Sequence, residues 1–296
     1  MAQITLQDHE INDFVKSLSL PGIIDIHIHF MPDNVMAKVW QYFEDAGPLI
    51  GRHWPIQYKI SQSERLSFLD KIGVIAHSAL NYPHKADMAQ WLNQWSADFA
   101  KSQKSVIHSA TFYPEESAPQ YVTSAIQEGA RVFKSHVQVG NYDPRDPNLN
   151  EVWSILEKSQ IPIVIHAGSG PTSGRFTGVD PISSVLERFP ELYLIIAHMG
   201  MPDYLQFIEL AQRYPNIYLD TTMAFTPFTQ EQSPFPISLL PILQKLQDKI
   251  LLGSDFPNIP YQYALQLSSL ANLGLGDEWL RAILYENAKR LFHVGA

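Results

Sequence analysis

The chain has 296 residues, 45% hydrophobic and 17% charged, enough apolar material for one large core or two modest ones. Thirty acidic against 21 basic side chains give a net charge of −9, which argues against nucleic acid or an anionic membrane as partner, because both ask for a basic face. No cysteine is present, so disulfides, thiolate catalysis and Cys-ligated zinc or iron–sulfur sites are excluded, and nitrogen and oxygen donors alone remain for any metal.

The first twenty residues lack the basic start, long apolar run and small-residue cleavage site of a secretory signal. No window offers the roughly 20 apolar residues of a membrane helix, so a soluble cytoplasmic protein is expected. Eight apolar or β-branched runs then follow in chain order: residues 23–29, 73–80, 105–112, 130–137, 161–166, 192–198, 216–220 and 250–255. Their ends lie on average about 32 residues apart, the length of a strand–helix unit. Helical periodicity fills the gaps. Val152, Ile155 and Leu156 mark one helix; Ile182, Val185, Leu186 and Phe189 mark another after Pro181. Asp277 can cap a last helix running through Trp279, Leu280, Ile283, Leu284 and Leu291.

Strands apolar on both parities and alternating with helices imply a parallel sheet covered by helices. Eight units predict an α/β fold, a (β/α)8 TIM barrel, as a single domain over 1–296; no GxGxxG follows the first strand to favour a dinucleotide fold. Two insertions, at about 30–70 and 221–236, exceed what a barrel connection needs, and prolines in the second break any helix. Both are expected on the active-site face as lids or substrate walls.

The chemistry concentrates at strand ends. In Asp25-Ile26-His27-Ile28-His29 the polar residues share one parity, so His27 and His29 can grip one ion. A bare HxH has a plainer reading, two hydrogen-bonded histidines without metal. His166, His198 and Asp255, however, close three further apolar runs. Three imidazoles and a carboxylate, with a fourth imidazole nearby, suit zinc, iron, manganese or cobalt.

The order HxH, His, His, Asp, in the words IDIHIHF, IPIVIHAG, LIIAHMG and LLGSDFP with YENAKRLF near the end, resembles the amidohydrolase superfamily. The flanking words resemble its amidohydrolase-related branch, which includes aminocarboxymuconate semialdehyde decarboxylase. The resemblance spans about residues 22–292. It implies a metal-dependent barrel in which His27, His29 and His166 are ligands and Asp255 is ligand or proton shuttle. His198 would be the acid/base or a second-metal ligand. On the fourth strand Lys134 and His136 share a parity. Lys134 matches the lysine that is carboxylated to bridge two metals in binuclear members, with His166 and His198 then holding the second ion; His136 in VFKSHVQV matches the mononuclear, decarboxylase-like pattern. One divalent transition metal is therefore expected, zinc first, with manganese, iron or cobalt as alternatives.

Candidates for substrate contact are Arg52, His53 and Trp54 in the first insertion and Arg175 in AGSGPTSGRFTG, a glycine-rich loop without the GK[ST] of a P-loop. His77 and His108 read as core histidines. The leading functional reading is a metal-dependent hydrolase that uses metal-activated water on a small carboxylate-bearing lactone, ester or amide. The alternative is a non-oxidative decarboxylase of an aromatic or muconate-like acid; the third is a non-catalytic small-molecule-binding barrel. The expected partner is a small carboxylate, with a homo-oligomer open.

Overall fold

The computed structural model describes residues 3–294. Its strands are β1 (Ile23–Asp25), β2 (Val74–Ser78), β3 (Val106–Ile107), β4 (Ser109–Thr111), β5 (Val132–His136), β6 (Ile163–His166), β7 (Leu194–Ile196), β8 (Ile217–Asp220) and β9 (Ile250–Leu251). The chain gathers into two compact units, residues 1–77 with 221–296, and residues 78–220.

In the first unit β1 runs parallel to β2, with Ile24 opposite Ala76 and Asp25 opposite His77. The strand stops earlier than the apolar run predicts. The Asp25 carboxylate accepts the His27 N–H at 3.0 Å, turning that donor away from regular pairing. Contact with the β9 segment nevertheless continues: Ile26 donates to Leu252, Asp255 to His27 and His29 to Phe256 through backbone bonds. The first insertion is helical in part. It holds helices Asp33–Asp45, Gly47–Ile50 and Gln62–Lys71. Ser61 and Glu64 close the last of these with a reciprocal capping box. The second insertion, expected to be without helix, carries a short one at Pro227–Gln230, because Pro227 sits at its first position, where no N–H is needed. At the C-terminus Asp277 begins the helix instead of capping it; Gly276, at φ +94°, makes the turn into it.

In the second unit β4, β5, β6, β7 and β8 pair in parallel and in chain order. Helices Ala118–Gln127, Asn150–Ser159, Val179–Arg188 and Tyr204–Arg213 connect them. Ile163, Val164 and Ile165 have no solvent exposure, which is why these strands are apolar on both parities. Each such side chain contributes about 1.5–3 kcal/mol by burial. The third sequence run splits at His108 into β3 and β4.

Candidate metal centre

Three predicted donors meet in the first unit. His29 Nε2 lies 2.9 Å and His27 Nε2 3.7 Å from Asp255 Oδ1. One ligand atom from each residue falls within 4.8 Å of the others, and all three residues are buried. The two imidazoles stand edge to face, 5.2 Å between centroids. Two imidazole nitrogens and a carboxylate oxygen on one point match the donor chemistry of a divalent transition metal. Asp255 adopts φ +70°, an uncommon left-handed backbone for a non-glycine residue, held by its N–H donating to the His27 carbonyl.

Residues that the sequence reading passed over fix this geometry. Thr222 Oγ1 lies 3.1 Å from His27 Nδ1, and the Tyr263 hydroxyl donates to Asp25 Oδ2 at 2.7 Å. Burial pushes the Tyr263 phenol well above its ordinary pKa, with the Asp25 charge adding to the effect, so it remains a donor. Tyr261 is raised too, chiefly by burial and further by Asp255. No local pattern marks these residues, since Tyr263 and Asp25 stand 238 positions apart.

In the second unit His136, His166 and His198 form a ladder of rings. His136 stacks on His166 at 4.1 Å, as their pairing across β5 and β6 requires, and His166 meets His198 edge to face at 4.7 Å. Tyr82 extends the ladder at 4.9 Å from His136. His166 Nε2–H donates to the Gly170 carbonyl at 2.9 Å, which leaves Nδ1 as its lone-pair nitrogen. His136 Nδ1 accepts the Val139 N–H. Beyond β7, His198 and Met199 are both left-handed, at φ +55° and +56°, and the His198 N–H donates to Asp220 Oδ1 at 2.8 Å. Lys134 is fully buried on β5.

The loop candidates divide. The Arg52 guanidinium covers the Phe228 ring at 3.5 Å, donates to the Phe228 carbonyl and pairs with Glu231 at 2.9 Å, so it ties the two insertions together. Trp54 is buried, donating from Nε1 to the Asn258 carbonyl at 2.7 Å. Asn258 also accepts from the Trp40 indole at 3.2 Å. His53 and Arg175 are exposed, the latter against Phe176. His77 is buried, its ring 5.5 Å from that of Phe30.

The Amidohydrolase family model matches residues 24–294. No curated protein matches the chain significantly. Among solved structures, an uncharacterised TIM-barrel protein of Bordetella bronchiseptica shares 18% identity at a TM-score of 0.73, covering 92% of this chain and 98% of its own. The 5-carboxyvanillate decarboxylase LigW of Sphingomonas paucimobilis shares 15% at 0.65, covering 93% and 100%. A protein of Acinetobacter baumannii described as a probable 2-pyrone-4,6-dicarboxylic acid hydrolase, with citric acid bound, shares 15% at 0.61, covering 92% and 99%. These likenesses give the chain the TIM-barrel fold that its strand spacing predicts. Among the described residues no helix is long and apolar enough to cross a membrane.

Proposed function

Because the chain belongs to the amidohydrolase family and is an enzyme of that family, we propose that it is a metal-dependent hydrolase of a small carboxylate-bearing lactone, ester or amide. The observation that carries this reading is the meeting of one ligand atom each from His27, His29 and Asp255 within 4.8 Å of one another, with the Nε2 atoms of His27 and His29 3.7 and 2.9 Å from Asp255 Oδ1. The family's motif order assigns His166 as a further ligand, and zinc is the first choice of ion. When bound, a divalent ion supplies Lewis-acid polarisation and lowers the pKa of water to about 7.

The chain's own groups then divide the work. Asp255 accepts the proton of the attacking water and delivers it to the leaving group. His198 polarises the substrate carbonyl or transfers a proton to it. Arg175 and His53, both exposed, are the candidates left for substrate contact, since Arg52 is engaged with Glu231. The carboxylate class is supported by relatives whose names carry carboxylates, a carboxyvanillate decarboxylase and a pyrone-dicarboxylic acid hydrolase. In this reading Lys134 stays a buried amine beside His136, and one ion is bound.

Elemental analysis of the purified protein tests the centre. About one equivalent of transition metal per chain is expected, falling to near zero in His27→Ala and His29→Ala. About two equivalents would make Lys134 a carboxylated bridge, and no metal after reconstitution would defeat the reading. Assay on pyrone and aromatic carboxylates separates the chemistries, since hydrolysis yields a new carboxylate. Release of CO₂ without hydrolysis would make the enzyme a decarboxylase.

A further inference from the structure

We propose that Thr222 is a positioning residue for the metal centre: it holds His27 in the tautomer that carries its proton on Nδ1, leaving Nε2 as the donor. The inference rests on the metal reading above and deepens it. His27 Nε2 is the nitrogen turned toward Asp255, 3.7 Å from its Oδ1. For that nitrogen to offer a lone pair, the ring proton must sit on Nδ1 and needs an acceptor. Thr222 Oγ1, 3.1 Å away and fully buried, is that acceptor. A ligand histidine fixed through its other nitrogen loses rotational freedom and the wrong tautomer together.

Thr222 is itself aimed by a backbone clamp. Gln266, fully buried on the helix Tyr263–Ala271, donates from Nε2 to the Thr221 carbonyl at 2.6 Å. Its Oε1 accepts the Met223 N–H at 3.2 Å. One amide thus grips the peptides on both sides of Thr222. Thr221 is pinned in turn, its N–H donating to the Leu251 carbonyl and its hydroxyl accepting from Gly253. Met223, at φ +58°, completes a turn that the clamp holds against its backbone preference. A residue needed only to fill space would require neither a hydroxyl facing an imidazole nor a fixed backbone on both flanks.

The test is zinc affinity, read by chelator competition, together with the zinc-induced rise in Tm. Thr222→Val keeps the shape and removes the acceptor. It should weaken zinc binding about 10- to 100-fold and shrink the zinc-induced rise while leaving the Tm of the metal-free protein near wild type. Thr222→Ser should restore both readouts. Zinc affinity in Thr222→Val equal to wild type would overturn the inference alone, as would an equal fall in Tm with and without zinc at unchanged affinity. Failure of the wild type to bind zinc would defeat the metal reading and this inference with it. If Thr222→Val does not fold, Gln266→Glu is the substitute: it removes the donor to Thr221 and should weaken zinc binding in the same direction, and unchanged affinity there overturns the inference equally.

Discussion

Asp255 carries two burdens, a strained backbone at φ +70° and a carboxylate facing both His27 and His29. The strain has a use: it lets the residue turn its side chain toward the imidazoles while its N–H still reaches the His27 carbonyl. Asp255→Asn keeps that size and backbone bond but removes the proton acceptor. Turnover should fall by at least about 100-fold with the circular dichroism spectrum unchanged, and near-normal activity would contradict the assigned role. The grouping of these three residues was legible in the sequence because His29 and Asp255 close apolar runs, and alternate spacing put His27 and His29 on one side. Thr222 and Gln266 were not legible. Their roles depend on contacts reaching 195 positions along the chain, from Thr222 to His27, and no local period records such a contact.

The elements that hold these residues were legible to differing degrees. Parallel strands alternating with helices followed from apolar runs of both parities, and the helices around Val152 and Ile182 lie where their periodicity put them. Strand ends were misjudged wherever a side chain competes for the backbone, as Asp25 does for the His27 N–H. The helices of the first insertion were not read from the sequence, although two signals marked them. Those were the Ser61–Glu64 capping box and the grouping of Val35, Met36 and Val39 on one helical face. Close approach of backbone governs the turn after β7. Gly200 sits at φ +77°, and a Cβ there would stand 2.1 Å from a Phe207 ring carbon. Gly200→Ala should cost about 2 kcal/mol or more through overpacking and left-handed strain. Urea denaturation measures it, and an unchanged midpoint would refute the packing argument.

For the molecule as a whole, His108 gives stability a pH dependence. Burial lowers its pKa below the ordinary 6.5, opposed in part by Gly129 and Glu128 and assisted by Lys101. Its Nε2 is buried without a hydrogen-bond partner. A histidine depressed in the fold takes its proton first in the unfolded chain. This contribution is therefore fully present above pH 6.5 and declines as pH falls toward the folded value. His108→Gln should flatten the decline in chemical stability between about pH 7 and 5, and a slope unaltered by the substitution would assign it to other groups. The metal centre reaches across the chain in another sense. His29 and Asp255 stand 226 positions apart. A growing chain exposes its first two donors long before the ribosome delivers the third. A ribosome-bound intermediate short of residue 255 carries the imidazoles of the proposed site without the Asp255 carboxylate. In the proposed metal-dependent reading, ion capture that includes Asp255 would follow the late docking of one chain segment on another, and a held ion would act as a clasp whose release and the parting of those segments are linked.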